Sequence, residues 1–177
     1  MRKTVILLLF LVISSISCEK DDICGSADAT TPRLIIDLYN AESPENKKNA
    51  NDLIVSGIDN DFALSGYFVN DVNQLVLPLR TDTNITQYEL MLDATLNDND
   101  TPDDATDDYY EGNIDTITVN YVPVEVYVSR ACGYKTIYTE VTLTIEDDDD
   151  NWLLSRQPLT DNQSVENEDE THFNITH

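Results

Sequence analysis

Residues Ile137–Glu146 read IYTEVTLTIE, and this stretch decides the fold class. In an extended chain Val141, Leu143 and Ile145 lie on one face, while the glutamates and threonines beside them lie on the other. This alternation predicts a β-strand with one buried and one solvated face, which is typical of antiparallel sheets.

The same alternation recurs along the chain, and no segment carries an extended helical stripe of apolar residues. We predict about eight short strands and an all-β fold, an antiparallel two-sheet β-sandwich. The Cys–Trp–Cys spacing of antibody domains is absent, so an immunoglobulin-like topology is only one of the options. The predicted strands cover residues 33–39, 53–58, 62–69, 74–80, 87–93, 116–121, 124–129 and 137–146.

The start of the chain has the parts of a secretory signal. A basic head is followed by an apolar run, Val5–Ile13, that is too short to span a bilayer, and then by serines. Cys18 follows directly and resembles the lipidated first residue of a bacterial lipoprotein. We predict a lipoprotein signal peptide over 1–17 and lipidation of Cys18. The alternative is an ordinary signal or signal anchor with a structural cysteine.

A short charged segment follows the cysteine and opens the predicted N-terminal linker, 18–30. It resembles the lysine-plus-acidic signal that sends lipoproteins of Bacteroidota to the cell surface. We therefore predict a lipid-anchored outer-membrane protein on the cell surface. A plain acidic linker, with the protein on the periplasmic face, is the alternative. The signal residues are Glu19, Lys20, Asp21 and Asp22.

The 177 residues carry 34 acidic and 10 basic side chains, a formal net charge of −24. Such a charge repels nucleic acid and anionic lipid headgroups, so neither is expected to bind the chain directly. The predicted partners are the membrane, reached through the N-terminal lipid, and an outer-membrane protein.

Lipidation of Cys18 would leave Cys24 and Cys132, and outside the cytoplasm two remaining cysteines usually pair. A metal-binding or reactive thiol is the alternative, but no nearby histidine or CxxC spacing favours it. We predict a disulfide. It would close a loop of about a hundred residues and restrict the unfolded chain by about 4 to 5 kcal/mol.

Two acidic regions are predicted to lie outside the strands. Residues 97–113 are predicted to form a long loop, and residues 155–177 a largely disordered tail, because they are polar and poor in apolar groups. Trp152–Leu154 is predicted to pack on the sandwich and to end it. The predicted sandwich domain therefore spans 31–154.

Catalytic chemistry has little support in the sequence. Both histidines, His172 and His177, fall in the predicted tail, which argues against triad, Cys–His and most zinc sites in the sandwich. A glycosidase needs two positioned carboxylates, and no pair is distinguished by its spacing. We predict that the protein is not an enzyme.

No cofactor is predicted, and calcium is the one metal with some support. Clustered aspartates suit a hard cation that takes six to eight oxygen ligands. Pro102 interrupts the series and no glycine occupies the tight turn of an EF-hand, so a solvated acidic loop is the favoured interpretation. The calcium candidates are Asp98, Asp100, Asp103 and Asp104.

Several motifs together resemble a family of uncharacterised lipoproteins of Bacteroidota, mostly flavobacterial. The resemblance covers most of the mature chain and implies that Cys24 and Cys132 belong together, but it implies no catalytic residues. Its motifs are Cys18–Cys24, Thr31–Ile36, Ala131–Lys135 and Asp150–Trp152.

The predicted function is that of a non-enzymatic outer-membrane lipoprotein, an accessory subunit or binding module of a cell-envelope assembly. The alternative is a carbohydrate- or calcium-binding module linked to nutrient uptake. A binding module predicts a concave, aromatic-lined patch, whereas a subunit predicts an exposed apolar face or edge strand.

Overall fold

Nine strands form in the computed structural model, which describes residues 24, 30–58, 60–160 and 163–177. They make two sheets, which confirms the predicted all-β two-sheet sandwich. The predictions for the signal peptide, for Cys18 and for the export signal lie outside the described residues. The strands are β1 (Leu34–Tyr39), β2 (Ala50–Gly57), β3 (Asn70–Val72), β4 (Gln74–Leu77), β5 (Ile85–Asn97), β6 (Tyr109–Ser129), β7 (Gly133–Ile145), β8 (Ser155–Pro158) and β9 (Phe173–Thr176).

The four-stranded sheet has the order β4-β1-β9-β8, and the five-stranded sheet has the order β3-β2-β5-β6-β7. This is not the immunoglobulin order, in which the first, second, fifth and fourth strands share a sheet. The predicted antiparallel pairing does not hold throughout. Strands β1 and β9 run parallel, with Leu38 opposite Ile175.

The chain forms two compact units. The larger comprises residues 31–124 and 136–177, and it contains the hydrophobic core. The smaller comprises residues 1–30 and 125–135, of which Cys24, Thr30 and the hairpin residues Glu125–Lys135 are described.

The core lies on the inward positions of the alternating strands. On β7, Val141 and Leu143 are buried while Thr142 and Thr144 are exposed, as the period of the sequence predicts. The fully buried aliphatic residues of the core include Leu34, Ile36, Leu38, Leu53, Leu75, Leu77, Leu90, Ile117 and Ile175.

Two predicted strand assignments were wrong. Residues 62–69 form bends and turns, with Phe62 78% exposed and Gly66 at a φ of +89°, a left-handed conformation that interrupts a strand. Residues 116–121 and 124–129 belong to one strand, β6, although Pro123 lies between them. Pairing with β5 ends at Asn120, so the missing proline N–H breaks no bond to that strand.

The predicted disordered tail was also wrong, and with it the domain end at residue 154. Residues 155–158 form β8, and residues 173–176 form β9 between β1 and β8. Phe173 and Ile175 are buried in the core. Two alternating apolar residues in an acidic segment are too weak a pattern to predict a strand. Phe173 and Ile175 are buried because β9 pairs with β1, and the composition of the segment does not indicate this pairing.

The chain passes between the two sheets four times, and two of these connections, which we call the first and the second crossing, are held by buried polar side chains. The first, after β4, is residues 78–84. Three tyrosine hydroxyls donate to successive backbone carbonyls of this crossing. Tyr88 donates to the carbonyl of Pro78, Tyr138 to that of Leu79 at 2.8 Å, and Tyr121 to that of Arg80 at 2.9 Å. Burial raises the pKa of Tyr138 to about 12 and that of Tyr88 further still, so both hydroxyls remain donors.

The second crossing, residues 146–154, leads from β7 to β8. The buried carboxylate of Asp115 on β6 accepts hydrogen bonds from the backbone N–H groups of Trp152 and Leu153, at 3.2 and 2.8 Å. The Trp152 indole N–H donates to the carbonyl of Leu90 at 3.2 Å. Trp152 and Leu153 therefore pack on the core, while the chain continues past them into β8.

The tyrosine contacts make a direct prediction for stability. Tyr138→Phe leaves the carbonyl of Leu79 without its buried donor, so we expect a loss of about 1 to 3 kcal/mol in the free energy of unfolding, measured in urea. The matched control is Tyr134→Phe at an exposed tyrosine, which should stay within about 0.5 kcal/mol of the parent. Equal effects of the two substitutions would contradict this account of the first crossing.

Candidate functional site

An apolar row crosses the outer face of the five-stranded sheet. Ile54 on β2 lies opposite Met91 on β5, and Met91 lies opposite Ile114 on β6. Each of the three has a buried neighbour along its strand, namely Leu53, Leu90 and Asp115, so these three side chains point to the opposite face of the sheet. Ile114 is 43% exposed.

A second apolar group lies further along the same two strands. Leu96 on β5 is opposite Tyr110 on β6, and the ring of Phe68 packs edge-on against Tyr110 with centroids 5.1 Å apart. Tyr110 is four residues from Ile114 on the same strand and shares its face. Phe68 and Leu96 remain 55% and 54% exposed. We call Ile54, Phe68, Met91, Leu96, Tyr110 and Ile114 the outer-face apolar patch.

Gly112 allows the two groups to lie on one face. It faces a shift of register on β5 between Leu92 and Thr95, where the β5 backbone approaches β6 closely. A Cβ atom on Gly112 would lie 2.5 Å from the carbonyl oxygen of Leu92 and 2.8 Å from Cγ of Met91. The side chain of Met91 thus occupies the space beside Gly112 and joins the two parts of the patch.

A cleft of about 410 Å³ lies beside the first crossing, 78–84. Its apolar lining includes Leu64 and Ile85, and its polar lining includes Gln87 and Arg80. The guanidinium of Arg80 pairs with the carboxylate of Asp82 at 2.9 Å, which lowers the pKa of Asp82. The cleft has the mixed lining of a small-molecule site, but its one cation already has a partner.

The acidic loop is shorter than predicted, because residue 97 belongs to β5 and residues 109–113 belong to β6. Asp107 accepts hydrogen bonds from Asn99 and Thr101 at 2.9 and 2.8 Å, and these bonds hold its pKa below the usual range. Within the described ranges, no group of three or more acidic, histidine or cysteine side chains is arranged to hold a metal ion. Calcium at Asp98, Asp100, Asp103 and Asp104 stays a prediction.

The structure brings Cys24 and Cys132 to disulfide distance, with their Sγ atoms 2.08 Å apart, as predicted. Cys132 lies in the turn between β6 and β7, where its N–H donates to Ser129 Oγ at 3.0 Å. Tyr127 and Tyr134 are exposed on this hairpin, whereas Tyr138 further along β7 is fully buried.

Both histidines are buried, so the prediction that the folded domain contains none was wrong. His172 Nδ1 accepts the N–H of Ile35 at 2.9 Å. The ring of His177 packs edge-on against Trp152 and lies 3.3 Å from the carbonyl of Lys48. Each ring thus contacts backbone and core, and both histidines help to position the last strand.

Asp37 on β1 carries a buried carboxylate in the four-stranded sheet. Burial opposes its ionisation, but hydrogen bonds from Lys47, Gln74 and Thr171 outweigh that cost and lower its pKa. The carboxylate therefore links β1 to β4 and to the segment before β9.

The fold and the patch define a class, a two-sheet β-sandwich with a disulfide-linked hairpin and an exposed apolar sheet face. The chain belongs to the family of unknown function DUF6452, whose profile matches residues 52–177. That match includes the segment predicted to be a tail. It confirms membership of an uncharacterised family, whereas the resemblance to Bacteroidota lipoproteins stays a prediction. Comparison with curated proteins and with solved structures finds no match.

Over the residues that the structure describes, no helix is long and apolar enough to cross a membrane.

The buried histidines predict how stability depends on pH. Burial lowers the pKa of His172 despite the opposing charges of Glu170 and Glu168, and it lowers that of His177, next to Lys48. A lowered folded-state pKa means that stability is complete above about pH 6.5 and falls as the pH drops below that value. The melting temperature should therefore fall between about pH 7 and pH 5.

The double variant His172→Gln with His177→Gln should show a flatter melting-temperature profile over this range, and each single variant an intermediate one. The quantity to compare is the slope of the melting temperature against pH. A melting temperature that is lower by the same amount at every pH would report only a change in packing. A slope in the double variant equal to that of the parent would contradict the assignment.

Proposed function

We propose that the protein is a non-enzymatic lipoprotein of Bacteroidota, anchored in the outer membrane through Cys18 and displayed on the cell surface. In this proposal it serves as an accessory subunit of a cell-envelope assembly, and the outer-face apolar patch contacts its partner. The observation that carries the proposal is this patch, in which Phe68, Leu96 and Ile114 stay exposed on one sheet face.

The patch supports a protein partner rather than a small ligand. Aromatic and aliphatic side chains exposed together on one face are typical of protein interfaces, where their burial supplies most of the binding energy. Glu89 lies two residues from Met91 on the same face, and the whole chain carries a net charge of −24. A partner with an apolar centre and a basic rim would complement this surface.

The alternative is a carbohydrate- or calcium-binding module linked to nutrient uptake, and the cleft beside residues 78–84 favours its small-ligand form. Its mixed apolar and amide lining suits a sugar. However, its aromatic lining residue, Tyr88, donates its hydroxyl to the carbonyl of Pro78 and presents no open ring platform.

The partner test uses cross-linking in intact cells, followed by affinity purification of the full chain. We expect an outer-membrane protein to be recovered with the parent and to be lost with Phe68→Ser combined with Leu96→Ser. The control is Ile85→Ser in the cleft, at a side chain that is 39% exposed, which should retain the partner. Loss with Ile85→Ser alone would favour the cleft as the functional site.

The anchor is tested separately by Cys18→Ser. We expect this variant to lose lipid labelling and membrane association, because the thiol is the proposed site of acylation. Lipid labelling that persists in Cys18→Ser would contradict the anchor. Protection of the parent from protease added to intact cells would place it on the periplasmic face.

A further inference from the structure

The hairpin between β6 and β7 exposes a pair of aromatic rings. Tyr127 and Tyr134 are 61% and 67% exposed, and their rings meet edge-on with centroids 5.4 Å apart. We call residues 125–135 the hairpin tip. Tyrosine has an apolar ring and a polar hydroxyl, and this combination is enriched where proteins meet the headgroup layer of a membrane.

The charge of the hairpin tip differs from that of the rest of the chain. It contains the cations Arg130 and Lys135 and one carboxylate, Glu125, in a protein with 34 acidic and 10 basic residues. Fixed charges act over about 8 Å at physiological ionic strength. An anionic surface close to the tip therefore interacts mainly with the charges of the tip itself.

The disulfide connects the hairpin tip to the segment that follows the proposed anchor. Cys132 in the tip bonds to Cys24, and Cys24 follows Cys18 by six positions in the sequence. A fully extended chain of that length spans at most about 20 Å. If Cys18 carries the lipid, the hairpin tip cannot lie far from the membrane surface.

We propose that the hairpin tip is a second membrane contact, in which Tyr127 and Tyr134 enter the headgroup layer and Arg130, which is exposed, faces anionic headgroups. This inference rests on the proposed lipid anchor and deepens it. The lipid holds the chain at the bilayer, and the disulfide keeps the aromatic and cationic hairpin tip close to the lipid-anchored segment. The hairpin tip would bind the headgroup layer of the same membrane in which the acyl chains on Cys18 are inserted.

The test places a photo-crosslinking benzoylphenylalanine at position 134, or at position 127, of the full lipidated chain. The protein is reconstituted in vesicles of phosphatidylethanolamine and phosphatidylglycerol, and lipid adducts are measured by mass spectrometry. We expect several-fold more lipid adduct at 127 and 134 than at position 109, a control tyrosine in the larger unit that is also about half exposed. Equal yields at all three positions would overturn the inference.

The cationic part has its own readout. Adduct yield at position 134 should be higher with phosphatidylglycerol present than with phosphatidylcholine alone, and Arg130→Gln should reduce this preference up to about fivefold, the effect of one cation at an anionic surface. The matched control is Arg80→Gln, which should leave the preference unchanged. An unchanged preference in Arg130→Gln would overturn the electrostatic part.

The two proposals fail in different ways. Vesicle flotation and the mass of the N-terminal peptide report the lipid on Cys18 independently of any crosslink. An anchored, lipidated chain that gives no lipid adduct at 127 or 134 would overturn the hairpin contact alone. A chain without lipid on Cys18 that still gives these adducts with added vesicles would overturn the anchor and support the hairpin contact.

Discussion

Two of the four connections between the sheets, the first and second crossings, are held by buried polar side chains of the five-stranded sheet, and the rest of the structure depends on this constraint. A crossing exposes backbone groups at the edge of an apolar core, where an unpaired group is costly. Three tyrosine hydroxyls satisfy residues 78–80, and the Asp115 carboxylate satisfies Trp152 and Leu153. The two sheets are thereby joined at defined points.

The second crossing also determines what the end of the chain does. It leads from β7 to β8, and β9 then lies in the four-stranded sheet between β8 and β1. Backbone bonds then continue past the strand, because the N–H of His177 donates to the carbonyl of Tyr39 at 2.9 Å. Inward positions of the five-stranded sheet are occupied by core and crossing contacts, so its outward positions are the ones free to carry the apolar patch.

Sequence patterns predicted the local part of this fold and missed the non-local part. The alternation in β7 depends only on neighbouring residues, so it could be seen directly. Strand β9 could not, because its burial comes from β1 and its own composition is that of a polar segment. The patch was missed for the same reason: Ile54, Met91 and Ile114 lie on separate strands, and only their register aligns them. The pairing of Cys24 with Cys132 was predictable because the chain has three cysteines and one of them, Cys18, was assigned to the lipid.

The central claim is that the last strand, β9, is an integral part of the sandwich rather than part of a tail. Native-state hydrogen exchange of the full chain tests it most directly. The account predicts that the hydrogen-bonded amides of Phe173–Thr176 exchange as slowly as those of β1, through global unfolding. Exchange of these amides at the rate of an unstructured peptide, while β1 stays protected, would contradict the account.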